Sequence, residues 1–263
     1  MVEERGYKKT LREIELRLKQ LEVPEPLRNL NLTRAQIEGI TYQDKFADNA
    51  AVGTSFEDIW NSSSALTYLT SASTITVTSS GNDNGAGSTG AQSITIEGLD
   101  GNWDVASETI ATLAATPPVT TQTFLRVNRA YVVDVGAIAS GTNENNIVLT
   151  ATTGGSVQGQ IGAGLGQTEK SQYAVPRNFT AYISKMYYNM GKGDDGEVTL
   201  DTRNFGEAWR VKRLLKIYQS EIDHSLESYI PVNGKSDIRQ RAKSSAGGVQ
   251  VASGYDFILV PDA

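Results

Sequence analysis

The chain of 263 residues has no cysteine, one histidine and no long apolar run. Without cysteine there are no disulfides, thiolate metal ligands or cysteine nucleophiles, and the single imidazole of His224 cannot build a multi-histidine metal site. A membrane span needs roughly 20 apolar residues, and the charged N-terminus "MVEERGYKKT" lacks the apolar segment of a secretory signal. We therefore expect a chain that is made in a cytoplasm, has no membrane anchor and carries no redox chemistry of its own.

Positive charge is also scarce. The chain has 24 Lys and Arg against 30 Asp and Glu, a formal net charge of -6 and a pI near 5.0. Binding to nucleic acid or to an anionic membrane surface depends on clustered Lys and Arg. The composition therefore predicts neither nucleic acid nor membrane as a partner.

Charged residues divide the sequence into three zones. They occupy 18 of the first 48 positions, 11 of the next 120 and 25 of the last 95. The middle zone is rich in Thr, Ser, Ala, Gly and Asn, a composition that suits either disorder or β-structure. Its apolar residues alternate with polar ones, which favours β-strands.

The N-terminal zone has the pattern of an amphipathic helix over about residues 3–23, ended by Pro24. Apolar side chains spaced alternately by four and three residues form one stripe, which is too short for a self-sufficient coiled coil. We expect this stripe to pack against its own chain, to form a short bundle with copies of itself, or to dock into another protein. Its members are Tyr7, Leu11, Ile14, Leu18 and Leu21.

The domain organisation follows from these zones. Residues 1–30 are predicted as the N-terminal helix and residues 31–64 as an extended arm. Residues 65–263 are predicted as a β-sandwich body with a jelly-roll-like arrangement. The body contains many short alternating runs, including "STITVTS", "QSITIEG", "FLRVNRAYVV" and "VQVASGYDFILV". No helical crossover separates them, so the expected fold class is mainly β with antiparallel strands.

Glycine-rich segments raise the question of a phosphate site. The run "SSGNDNGAGSTG" lies between two alternating runs and is predicted as a hairpin loop. "GAGLGQT" at 162–168 resembles a phosphate-binding loop, but it lacks the lysine and the following helix that such a loop requires. We therefore interpret both segments as turns, and no cofactor is expected.

The remaining candidate sites are acidic. "DGNWD" at 100–104 has the alternate acidic spacing that begins an EF-hand, but it lacks the glycine and glutamate that complete the loop. A catalytic triad around His224 would need partners from distant sequence, and no Gly-x-Ser-x-Gly elbow is present. Acidic pairs for glycoside cleavage stay open, because sequence spacing is uninformative for them. We expect no catalytic residues and no metal ligands.

From about Ser71 to the C-terminus the chain resembles a family of β-rich virion structural proteins of marine tailed phages, of the cyanophage and pelagiphage type. The resemblance rests on "TITVTSSGNDNGAGSTGAQSITIEGLDGNWDVASETI", "TFLRVNRAYVV", "GQTEKSQYAVP", "KSDIRQRA" and "GYDFILVPDA". It implies a non-enzymatic protein located in the virion.

With the predicted N-terminal stripe, this resemblance leads us to expect a capsid decoration protein or head fibre. Its partners would be other virion proteins and copies of itself, with a trimer as the expected oligomer. A tail or neck component, including a receptor-binding fibre, is the alternative. An enzyme acting on host surface glycans is a third reading.

Overall fold

The computed structural model describes residues 39–137, 141–191, 195–218 and 221–262, together with the single residues 31, 34 and 37. From residue 39 onward the described residues form β-strands and no helical element. The strands are β1 (Thr41–Val52), β2 (Glu57–Asp58), β3 (Ile75–Thr78), β4 (Ala91–Leu99), β5 (Val105–Ala111), β6 (Arg126–Val135), β7 (Ile147–Ala151), β8 (Val157–Ile161), β9 (Tyr173–Ala174), β10 (Phe179–Met190), β11 (Asp195–Asn204), β12 (Arg210–Tyr218), β13 (Glu221–Val232), β14 (Ser236–Ser244) and β15 (Val249–Pro261).

The strands form four antiparallel sheets. Sheet A has the order β1-β15-β10-β13, and sheet B has the order β12-β11-β14-β2 with β9 also paired to β14. Sheet C has the order β3-β7-β8, and sheet D has the order β5-β4-β6. The prediction of a mainly β chain with antiparallel strands is confirmed.

Two large hydrophobic clusters organise these sheets. The first takes buried side chains from both sheet A and sheet B, among them Tyr188, Leu200, Tyr255 and Phe257. The second takes them from sheets C and D, including Ile96 and Leu149. Burial of apolar side chains is the main favourable term in folding, so each pair of sheets has its own source of stability.

Sheets C and D are built from a continuous stretch of the chain between β2 and β9. The chain leaves toward this stretch after Trp60 and returns at Lys170, and these two residues form an antiparallel bridge. The amide of Asn61 also donates to the carbonyl of Glu169 at 3.1 Å. The charge-poor zone of the sequence therefore corresponds to a group of strands whose two ends lie side by side.

Residues 41–52 fall in the segment for which the sequence predicts an extended arm. They form β1, which pairs with β15 from Thr41 opposite Leu259 to Val52 opposite Val249. The side chain of Ile59, slightly further along, is fully buried in the first cluster. This part of the segment thus packs with the body, because its apolar side chains find partners in β-strands that are distant in sequence.

The glycine-rich segment 79–90 is not a hairpin loop, which corrects the prediction for it. β3 pairs with β7, whereas the next strand, β4, pairs with β5 and β6. The segment therefore connects sheet C to sheet D. The alternation of flanking residues identified both strands, but it carried no information on which strands pair.

Gly98 in β4 packs closely against the backbone of β6. A β-carbon at this position would overlap the carbonyl oxygen of Arg126 and lie 3.1 Å from the ring of Phe124. At Gly101, in the turn between β4 and β5, a β-carbon would have only the side chain of Ala72 at 3.5 Å. Glycine is thus required at the first position and dispensable at the second.

We expect the substitution Gly98→Ala to lower the free energy of unfolding by about 1 to 3 kcal/mol, because the backbone must shift to relieve the overlap. The matched substitution Gly101→Ala should change stability by less than about 0.5 kcal/mol. Thermal unfolding followed by circular dichroism measures both. Equal effects of the two substitutions would contradict this account.

Candidate functional site

The predicted docking stripe lies outside the described residues. Tyr7, Leu11, Ile14, Leu18 and Leu21 all belong to segment 1–30. Their role as a docking or oligomerisation surface stays a prediction.

The glycine-rich connection 79–90 is organised by a buried carboxylate. Asp83 is fully buried. Its carboxylate accepts hydrogen bonds from the backbone amides of Ala91 at 2.7 Å, Glu144 at 3.0 Å and Asn145 at 2.7 Å. These contacts tie the connection to the start of β4 and to the loop before β7. The aspartate therefore has a structural role here, and its oxygens point to the protein backbone.

The segment 162–168, which resembles a phosphate loop, uses its amides within the protein. The amide of Gly164 donates to the carbonyl of Asn143 at 2.9 Å, and the amide of Gly166 donates to the side-chain oxygen of the same asparagine at 3.0 Å. The carbonyl of Gly166 accepts from the amide of Val132 at 2.8 Å. A phosphate site requires amides that point toward a ligand, so this geometry favours the interpretation as a turn.

The acidic turn 100–104 is also used internally. The Asp100 carboxylate accepts from the amides of Asn102 at 2.8 Å and Asp104 at 3.0 Å, and Asp104 forms an ion pair with Arg177. His224 lies exposed on β13 opposite Met186. Within the described ranges no group of three or more His, Asp or Glu side chains could hold a metal ion.

The most concentrated charge chemistry lies between sheets D and B. Arg126 of β6 donates two hydrogen bonds to the carboxylate of Asp237 in β14, at 2.7 and 3.0 Å. Arg203 of β11 donates to the same carboxylate at 3.0 Å. The aspartate is fully buried and Arg126 is 5% exposed. Removing charges from water is costly, and the two-point geometry of the guanidinium is what makes such a buried pair tolerable.

Aromatic rings enclose this ionic cluster. The guanidinium of Arg203 lies 4.4 Å from the ring centres of both Tyr68 and Trp209, which contact each other. The guanidinium of Arg239, in β14, lies 3.9 Å from the centre of the Trp209 ring. Arg126 is 5.2 Å from the Tyr68 ring. Such cation–π contacts stabilise guanidinium groups that have lost part of their hydration.

Two buried lysines reinforce the same junction. Lys45 of β1 donates to the carbonyl of Asn128 at 2.7 Å, and Lys170 donates to the carbonyls of Val127 at 2.8 Å and Gln158 at 2.7 Å. The side chain of Asn128 also exchanges two hydrogen bonds with the backbone of Ala174, at 3.0 and 2.8 Å. Three successive residues of β6 are therefore bonded to the part of the chain that forms sheets A and B.

Burial changes the protonation of both lysines. It lowers the pKa of Lys170 from 10.5 to about 7, with Lys45 and Arg126 adding positive charge nearby. It lowers the pKa of Lys45 to about 8, with a further contribution from Arg129. Lys45 lies on the wall of a cleft between β1 and sheet D, and its ammonium group donates to the carbonyl of Asn128. Both ammonium groups donate to backbone carbonyls of β6 and so hold this strand to other parts of the chain.

An open cleft lies beside this junction. It has a volume of about 580 Å³ and lies between β1 and sheet D. Two of its polar side chains already have partners within the protein, because Glu97 accepts from Tyr131 at 3.1 Å and Arg129 donates to Gln167 at 2.8 Å. The cleft has the size of a small-molecule site.

No family model matches the chain, and no curated protein is significantly similar to it. Within the described residues no helix is both long and apolar enough to cross a membrane.

Sequence reasoning missed the buried ionic junction. Arg126 stands inside "FLRVNRAYVV", where apolar neighbours on both sides indicated a strand but drew attention away from the arginine. Asp237 stands in the short run "KSDIRQRA", whereas Lys170 has polar neighbours on both sides. A charged residue flanked by buried strand positions was the available signal. This signal does not identify the partner residue, since Arg126 and Asp237 are 111 positions apart.

We expect Asp237→Asn to lower the free energy of unfolding by about 3 to 5 kcal/mol, because it leaves the buried guanidinium of Arg126 and the partly buried guanidinium of Arg203 with no opposing charge. The matched substitution Asp104→Asn removes the exposed ion pair with Arg177 and should cost at most about 1 kcal/mol. Chemical denaturation measures both values. A cost for Asp237→Asn as small as that for Asp104→Asn would contradict the assigned role.

Stability should rise between pH 7 and pH 9.5. In this window Lys170 is largely neutral in the folded chain and charged in the unfolded chain, whose lysines have a pKa near 10.5. The unfolded state therefore binds more protons, and a rise in pH disfavours it relative to the folded state. Above pH 10 the trend reverses, because burial raises the pKa of Tyr68 and Tyr255 and only the unfolded tyrosines ionise there.

Denaturant unfolding across this pH range is the measurement. The substitution Lys170→Met should reduce the slope of stability against pH, whereas Lys212→Met, at an exposed position of β12, should leave the slope unchanged. A flat profile for the unsubstituted chain would show that Lys170 keeps its usual protonation in the fold.

Proposed function

We propose that the chain is a non-enzymatic structural protein of a phage particle. In this proposal it is a capsid decoration protein or head fibre, and residues 1–40, which precede β1, contribute its attachment to other virion proteins. The proposal combines the family resemblance of the sequence with one structural observation, the strand order of sheets A and B.

That strand order supports a jelly roll. Eight strands build the two sheets when β9 is set aside, namely β1, β2 and β10 to β15. Numbered one to eight along the chain, they have the order 1-8-3-6 in sheet A and 5-4-7-2 in sheet B. This is the order of a two-sheet jelly roll, and the cluster shared by the two sheets supports their packing as a sandwich. Sheets C and D then form an insertion between the second and third strands.

Jelly rolls occur in viral capsid proteins and in lectins, so the architecture suits a virion protein without specifying its role. The internal chemistry favours a structural role. Asp237, Lys45 and Lys170 are buried and bonded to the protein itself. Groups used in this way hold sheets together.

Imaging of purified particles by cryo-electron microscopy tests the proposal. Density that fits residues 41–262 on the head is the expected result. Density on the neck or tail would favour the alternative position, including a receptor-binding fibre. Particles that contain the chain in no ordered position, or that lack it in mass spectrometry, would overturn the proposal.

The predicted N-terminal stripe has its own test within this experiment. Leu18→Gln should greatly reduce incorporation into particles, since burial of one leucine contributes roughly 1.5 to 3 kcal/mol. Leu16→Gln is the matched control, because helical spacing places Leu16 opposite the stripe. Circular dichroism of both variants should match that of the original chain. Equal incorporation of the two variants would argue against attachment through the stripe.

A further inference from the structure

Two long strands on one side of the chain have a free edge. β12 is nine residues long and ends sheet B, and β13 is twelve residues long and ends sheet A. Within the described residues, no backbone hydrogen bond from another segment reaches the outer edge of either strand. At the other end of sheet A, by contrast, the carbonyl of Phe46 in β1 accepts from the amide of Lys170 at 3.0 Å. Free edges with unpaired amides and carbonyls can accept a further strand.

The two free edges carry opposite charge. β12 contains four basic residues and no acidic one, whereas β13 contains three acidic residues and neither Lys nor Arg. Like charges on facing strands are unfavourable and opposite charges are favourable. The pattern therefore disfavours pairing of β12 with β12 or of β13 with β13. It favours pairing of β12 with β13.

Part of this charge has no partner inside the chain. The ion pairs that involve these strands are Arg210 with Glu207 at 3.3 Å, Lys216 with Glu197 at 3.9 Å and Asp223 with Lys185 at 2.8 Å. Among the described residues, Lys212 and Arg213 of β12 form no ion pair, and neither do Glu221 and Glu227 of β13. Equal numbers of unpaired basic and acidic side chains thus remain on the two edges.

Exposed apolar side chains accompany these charges. Val211, Leu214 and Tyr218 of β12 are 54%, 49% and 65% exposed, and Tyr229 of β13 is 50% exposed. Single exposed apolar residues are ordinary on a protein surface. Here four of them lie on two strands that also have free, oppositely charged edges. This combination indicates a surface that becomes buried when a partner binds.

We propose that β12 of one copy pairs with β13 of a second copy, so that sheet B of the first continues into sheet A of the second. Both halves of this contact exist in every chain, which is why a second copy is the partner that fits. The contact joins unlike surfaces, so repetition around a closed ring gives a defined oligomer. The proposal does not depend on the particle assignment, and it uses a surface other than the N-terminal stripe.

A charge-exchange series tests the pairing. It is made in the full chain carrying Leu18→Gln, so that the stripe cannot mask the result, and self-association is measured by sedimentation velocity. The double variants K212E/R213E and E221K/E227K should each weaken association at least tenfold, because the charges without a partner inside the chain then have the same sign on both edges. The variant that combines all four changes keeps the net charge of -6. It should associate as strongly as the starting chain.

Cysteine cross-linking locates the contact. Because the chain has no native cysteine, every disulfide must come from the introduced residues. Chains with Val211→Cys or Leu214→Cys are mixed with chains carrying Ser225→Cys or Ser228→Cys under mild oxidation. Disulfide-linked dimers should form in at least one such mixture and much less in each variant alone, since only unlike edges meet. Circular dichroism confirms that every variant is folded.

Three results would overturn the proposal. They are a starting chain that stays monomeric at all concentrations tested, association that is equal across the charge series, and cross-links that form as readily within single variants as in mixtures. None of these results bears on whether the chain belongs to a virion, which imaging decides separately.

Discussion

The buried pairing of Arg126 with Asp237 is the constraint on which the arrangement of the strands depends. It is one of the few contacts in which a side chain of sheet D is bonded directly to sheet B, and both groups are withdrawn from water. A buried ion pair of this kind adds little net stability compared with an apolar contact of the same shape, but it penalises every arrangement that separates its members. Sheets C and D can therefore dock on the rest of the chain in only one register.

The residues that follow Arg126 extend the same constraint. The carbonyls of Val127 and Asn128 accept hydrogen bonds from lysines of the other part of the chain. One short piece of β6 thus supplies a guanidinium, two carbonyls and an amide side chain to the junction. Burial at this junction disfavours the charged form of both lysines, so the stability of the junction depends on pH. Its geometry is set by the backbone carbonyls that the lysines contact.

Local pattern revealed the strands but not their pairing. Alternation in "STITVTS", "QSITIEG" and "FLRVNRAYVV" correctly indicated β3, β4 and β6, because each strand buries one face. β1 was missed as part of the body, since "TYQDKFADNAAV" shows little alternation and its partner β15 lies about 200 positions away. The same limit applies to the connection 79–90 and to Asp237, whose surroundings are set by distant segments.

The antiparallel bridge between Trp60 and Lys170 means that the chain enters and leaves sheets C and D through a single narrow neck. Sheets C and D can be lengthened, shortened or exchanged in this arrangement, because the two chain ends that connect them to the other strands stay in the same place. Recombination between related genes at this neck would graft a new module onto an unchanged scaffold, provided that the incoming module supplied a partner for Asp237.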